Sequence, residues 1–208
     1  MLNTIMASPV NTIIGIDYSY TCPAVCVLTN RLLNTPRWFV NYKKTGKPYP
    51  DLPNVEWSLS SAETEVQRYL ELATWVLGII DRVQPELIVL EDYAFSANGR
   101  ITQLSENTGT LKVKLFEHHP QIPLRIVAPT TMKKFATGRG IATKDDIWAA
   151  FTKRKPDTAS WAAICHPKAT RVGSPVADIA DAFFLAQYGC IHFTEKNVCQ
   201  SDLAGTDA

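Results

Sequence analysis

The 208-residue chain predicts an α/β protein in which a mixed five-stranded sheet carries helices on both faces. Three observations carry that expectation. Short β-branched apolar runs open the chain, strands and helical-period segments then alternate, and 46% hydrophobic with 20% charged residues suits a domain with a sizeable core. Such a composition excludes a disordered, collagenous or coiled-coil chain. No apolar stretch reaches the roughly 18–20 residues of a membrane helix. The first ten residues lack the basic and apolar regions of a secretory signal, so a cytoplasmic protein is expected.

Residues 12–16 form an apolar β-branched run that ends on Asp17, which reads as a buried strand delivering a carboxylate at its C-terminal end. Residues 24–28 and 38–42 read as two further strands, giving an antiparallel meander. The segment with Pro48, Pro50 and Pro53 then interrupts the sheet. Ser60 followed by Glu63 is a capping box, and Val66, Tyr69, Leu70, Ala73, Val76, Leu77 and Ile80 recur at helical spacing, predicting a helix over 61–83. Residues 87–90 form a buried strand ending on Glu91 and Asp92. A helix over 101–117, a strand over 124–127 and short helices over 131–135 and 144–151 follow. Residues 153–173 read as a basic, Trp-containing connection without a period. The last helix opens with Ser174 as N-cap and Pro175 at its first position and runs to about Tyr188. One domain over 1–193 and a flexible tail over 194–208 are expected.

Five cysteines without regular spacing are no disulfide framework. Cys22 and Cys26 have no second pair with which to build a zinc site, and Cys165 beside His166 reads as a small apolar thiol next to a loop histidine. The charge is divided along the chain. Residues 51–106 hold ten acidic and three basic side chains, whereas residues 121–177 hold ten basic and three acidic ones. That asymmetry favours a polyanionic partner on one face.

Asp17 and Glu91 both end strands, at the sheet edge where open α/β sheets place their sites. Asp178 and Asp181, three apart, share one face of the last helix and can be aimed at the same crevice. Four carboxylates brought together repel unless cations neutralise them, and hard oxygen ligands suit Mg²⁺ or Mn²⁺. Two such ions about 4 Å apart can activate a water and stabilise the leaving oxygen of a phosphodiester.

Ile14-Gly15-Ile16-Asp17, Ile88-Val89-Leu90-Glu91 and Asp178-Ile179-Ala180-Asp181-Ala182 resemble, in order and spacing, the RuvC-type Holliday junction resolvases, nucleases of the RNase H-like fold. Glu91-Asp92-Tyr93-Ala94-Phe95 with Leu104-Ser105-Glu106 and Gly109, and Ala128-Pro129-Thr130 through Lys133-Lys134-Phe135-Ala136-Thr137-Gly138-Arg139-Gly140 to Lys144, resemble the phage branch of that family. The resemblance implies that Asp17, Glu91, Asp178 and Asp181 ligate two Mg²⁺ ions, with Mn²⁺ able to substitute, and that Lys133 and Lys144 lie near the scissile phosphate. It further implies cleavage of branched DNA, chiefly four-way junctions, by a homodimer that leaves 5′-phosphate and 3′-hydroxyl ends in a bacterial or phage-infected cytoplasm. Lys134, Arg139, Lys153, Arg154 and Lys155 are candidate phosphate contacts beside Lys133 and Lys144. Bacterial members carry an aromatic three residues after the strand-end acid; here Ala94 stands there, so Tyr93 and Phe95 are the candidate wedges. Glu106, two turns before Lys114, is a candidate further ligand or salt-bridging residue, with the structural role favoured, and Trp161 either stacks on an unpaired base or, as favoured, covers a small loop core.

Other readings keep the chemistry and change the substrate to forks, flaps or RNA–DNA hybrids, or drop it for a non-catalytic DNA-binding module. Gly15-Ile16-Asp17-Tyr18-Ser19 also resembles the first phosphate motif of actin-like ATPases, but those proteins need two such domains, and no Gly-rich turn follows Asp17.

Overall fold

The computed structural model describes residues 12–29, 35–43, 48–92 and 101–193. Tyr93, Phe95 and the tail over 194–208 lie outside them. Six strands form one sheet: β1 (Thr12–Asp17), β2 (Ala24–Thr29), β3 (Arg37–Tyr42), β4 (Val55–Leu59), β5 (Leu87–Glu91) and β6 (Leu124–Val127), in the order β4-β3-β2-β1-β5-β6. β1, β2 and β3 are the antiparallel meander, and β5 and β6 add in parallel on the other side of β1. Without β4 this is the strand order of the RNase H-like fold.

β4 corrects the expected five strands to six. It follows the Pro-rich segment and pairs parallel with β3, bringing Val40 opposite Trp57. An edge strand with mixed exposure lacks the continuous apolar run of the central strands, so its pattern is weak. Its anchor is aromatic: Trp57 stacks on Tyr49 with ring centres 5.2 Å apart and meets Tyr42 edge-on at 6.0 Å.

Alternation along β1 sorts two cores. Ile14 and Ile16 face α1 (Glu65–Val83) and α2 (Ile101–His118), whereas Ile13 belongs to the opposite core with α6 (Val176–His192) and residues of α3 (Pro129–Thr137) and α4 (Lys144–Arg154). α6 lies against β1 because Gly15 has no side chain. A β-carbon there would stand 2.3 Å from both the Ala182 carbonyl oxygen and the Ala186 nitrogen. Gly189 repeats the device one step along, where a β-carbon would come 2.6 Å from Val89 Cγ2.

Several helix boundaries differ from expectation. Thr64 and Gln67, not Ser60 and Glu63, form the capping box of α1; the Ser60 hydroxyl instead donates to Glu71 Oε2 at 3.2 Å. The basic connection is partly helical: α4 continues through Lys153 and Arg154, a 3₁₀ turn covers Pro156–Thr158, and α5 spans Trp161–Cys165. Pro175 stands at the N-cap of α6 and no side chain caps that end, so Ser174 is not its cap. Trp161 is core, edge-on to Trp38 at 5.4 Å. Among the described residues no helix is long and apolar enough to cross a membrane.

Candidate active site

In the parallel pair β1–β5, Ile16 stands opposite Leu90, so the next residues out, Asp17 and Glu91, leave the sheet side by side. By alternation both share the face of Gly15 and Val89, the face on which α6 lies. The glycine contact holds α6 close enough for Asp178 and Asp181, in its first two turns, to reach the same place. A crevice of about 280 Å³ is lined by all four carboxylates together with Lys133, Lys144, Tyr18 and Ser19. A fifth acid, Asp92, with Pro129, Leu104 and Thr108 of α2 and Ile147 of α4, completes its walls.

The carboxylates are buried among their own kind. Burial first, then Asp181, pushes the Glu91 carboxyl up to about 8, against the pull of Lys133 and Lys144. Burial and then Asp178 push Asp181 up to about 7, opposed by the same two lysines. Asp17 is raised by burial, with Asp178, Glu91 and Asp181 adding to it, and Asp178 is raised by burial against Lys144. Lys144 Nζ stands 3.9 Å from Asp178 Oδ1, while Asp178 Oδ2 is buried without a hydrogen-bond partner.

A buried, unpartnered carboxylate oxygen within a ring of like charges is a vacancy for positive charge, and all-oxygen donors suit a hard divalent cation. The four side chains line the crevice without closing into a cage: among the described residues no three His, Cys, Asp or Glu groups converge as a formed metal-holding cluster. Of the cysteines only Cys22, among the described residues, touches the site, its thiol donating a hydrogen bond to the Asp178 carboxyl. Cys22 and Cys26 are free thiols in the core, both raised by burial, and burial pushes Cys165 up to about 11.

The basic candidates separate. Lys133 comes from α3 and Lys144 from the first turn of α4, and both reach the crevice. Lys134 and Lys153 are exposed. Arg139 Nη2 pairs with Asp146 Oδ1 at 3.1 Å, which ties it to the start of α4. Arg154 turns onto the protein, its guanidinium 4.7 Å from the Phe184 ring centre and donating to Gln187 Oε1 at 2.6 Å. Lys155 is the C-cap residue of α4. The three side chains of the 153–155 run thus have different surroundings. Glu106 accepts from the Tyr69 hydroxyl at 3.1 Å and joins α1 to α2, while Lys114 pairs with Glu117 at 2.8 Å.

Arg68 escaped the sequence reading although its side chain is fully buried beneath the turn that follows Asp17. Its signal was positional: Arg68, Leu72, Val76 and Ile80 step by four along one stripe of α1, and a charge on an apolar stripe needs internal partners.

No protein-family model matches the chain. The crossover junction endodeoxyribonucleases RuvC of Chlamydia caviae and Chlamydia felis are each 30% identical to it over 131 residues, covering 62% of this chain and 69% of theirs. Among solved structures, Thermus thermophilus RuvC in complex with a Holliday junction substrate superposes with a TM-score of 0.54 at 19% identity, over 90% of this chain and 95% of that one. The yeast mitochondrial Holliday junction resolvase does so at 0.53 and 14%, over 88% and 78%. These structural likenesses establish the RNase H-like fold. With a relative at 30% identity matched over 69% of its length, the chain belongs to the RuvC family of crossover junction endodeoxyribonucleases.

Proposed function

We propose that the protein is a structure-selective endonuclease that resolves four-way DNA junctions by divalent-metal-dependent phosphodiester hydrolysis, leaving 5′-phosphate and 3′-hydroxyl ends. The observation that carries this reading is the convergence of Asp17, Glu91, Asp178 and Asp181 with Lys133 and Lys144 in one crevice. The family relationship and a relative solved with a Holliday junction support the substrate.

The four carboxylates would hold two Mg²⁺ ions, with Mn²⁺ able to take their place. When bound, such ions supply an activated water and stabilise the leaving oxygen. The chain's own residues do the rest. Lys144 and Lys133 bring ammonium groups to the rim, where they stabilise negative charge that grows on the phosphoryl oxygens. Tyr18, Leu104 and Ile147 wall the crevice against bulk water. Exposed Lys134 and Lys153 are available to phosphates further along the backbone. Paired cuts across a two-fold junction require a C2 homodimer, and Tyr93 or Phe95 is the candidate wedge at its centre. The stretches over 91–109 and 128–144 favour the phage branch of the family.

Cleavage of synthetic junctions, forks, flaps and RNA–DNA hybrids under Mg²⁺ tests the proposal. Junctions should be cut fastest, and Asp17→Asn should abolish cutting while junction binding is kept. Equal rates on all four substrates would overturn the junction assignment, and wild-type turnover by Asp17→Asn would overturn the metal site.

A further inference from the structure

Arg68 lies on α1, behind the sheet face that carries the crevice, yet it reaches the loop that leaves the site. Its Nε donates to the Tyr20 carbonyl oxygen at 3.1 Å and its Nη2 to the Thr21 carbonyl oxygen at 3.4 Å. Nη1 donates to Asn41 Oδ1 on β3 and to Glu71 Oε1 at 3.2 Å, one helical turn further along α1. The planar fork thus ties two successive carbonyls of the β1–β2 turn to a strand and a helix at once, a geometry that a lysine's single ammonium cannot reproduce. The turn begins at Asp17, and its next two residues, Tyr18 and Ser19, line the crevice. It is closed from within by the Cys22 amide, which donates to Ser19 Oγ at 3.1 Å. Resting on the proposed nuclease reading, we infer that Arg68 is a positioning residue of the carboxylate site: by fixing the carbonyls of Tyr20 and Thr21 it holds the Asp17–Ser19 segment where a divalent ion is bound.

Two features separate this role from simple core filling. An apolar residue would fill the same volume, but the two turn carbonyls would then lose their donors. The partners are also spread over three elements that this one guanidinium joins, so its removal loosens the turn more than the helix that carries it.

Arg68→Lys keeps the charge beside Glu71 and gives up the fork. Mn²⁺ binding to the full-length protein, followed by electron paramagnetic resonance without DNA, should weaken by about 10- to 100-fold, the usual effect of losing a group that holds a metal-binding side chain in place. The single-turnover rate at saturating Mg²⁺ should fall about tenfold, with junction affinity in Ca²⁺ unchanged within about twofold. Amide hydrogen exchange should rise at Cys22 and stay unchanged along α1. A folded Arg68→Lys with wild-type Mn²⁺ affinity overturns the inference, as does uniformly faster exchange throughout α1. Should that variant fail to fold, Asn41→Ala leaves the arginine in place and leaves Nη1 with Glu71 alone. It should weaken Mn²⁺ by about threefold or more, and unchanged affinity overturns the inference. A wild-type protein that binds no Mn²⁺ overturns this inference and the site reading together. A wild-type protein that binds Mn²⁺, paired with variants that bind it equally well, overturns the role of Arg68 alone.

Discussion

Lys144 occupies the first turn of α4, where the helix dipole favours anions, and Asp145 and Asp146 beside it meet that preference. Thr143 and Asp146 complete a capping box, so the helix start is secure without the lysine. Its side chain, 57% exposed, instead leans toward Asp178 and moderates the burial of all four carboxylates. Lys144→Ala should slow single-turnover junction cleavage about a hundredfold, close to 2.7 kcal/mol of barrier. In the presence of Mg²⁺, Tm should stay the same or rise slightly, and a normal cutting rate would return Lys144 to the solvated surface. At this scale the crevice residues were legible, because acids at the ends of apolar runs and a cation at a helix start contradict local preference. Arg154 was not: its neighbours in sequence are lysines, and only the tertiary approach of Phe184 and Gln187 shows that it lies against the protein surface.

α6 shows how an element sets catalytic geometry through an absence of side chain. Ala182 and Ala186 meet Gly15 backbone to backbone, with Asp178 and Asp181 carried at the near end of the same helix. Gly15→Ala must push α6 away from β1. The expected cost is about 1–3 kcal/mol or more, a fall in Tm of at least about 2 °C, with cleavage reduced tenfold or more because two carboxylates move together. Gly78→Ala is the control: it lies inside α1 with open space around its β-carbon, and should be neutral or stabilising by about 0.4–1 kcal/mol. Equal melting of the two variants by circular dichroism would refute the contact. The central strands were legible from their continuous apolar runs, and the edge strand was not. Val55–Leu59 alternates only loosely, and its partner aromatics Tyr42 and Tyr49 lie before and within the Pro-rich segment. The α1 cap was misplaced by four residues because Ser60 and Thr64 both head a plausible box, and Glu71 claims the serine hydroxyl.

The whole molecule carries a strain that pH and divalent ions should read out. Glu91 titrates at about 8 in the folded chain against an ordinary value of 4.5, and Asp181 at about 7 against 3.8. A raised carboxyl pKa means that the folded state holds its proton more firmly than the unfolded one. Its contribution to stability is therefore complete below about pH 4.5 and is lost as pH climbs to about 8. In chelator, Glu91→Gln should melt progressively higher than wild type across that window, by several degrees at pH 8, since about 1 kcal/mol moves Tm by ~2–4 °C at this size. Millimolar Mg²⁺ should reverse the order, because only the wild type keeps all four ligands. A wild type that stays the less stable of the two at pH 8 with Mg²⁺ would refute a metal-neutralised crevice. The charge asymmetry along the chain was legible from the start, but its spatial meaning needed the fold, which sets α3 and α4 beside α6 on one face. The placement of α6 also has a consequence for synthesis. Two carboxylates of the crevice and much of one core come from the last element described, so a nascent chain that has not yet passed Val176 lacks both the complete ligand set and the cover over β1. On the proposed nuclease reading, such a chain stays inert on the ribosome until α6 has been laid down.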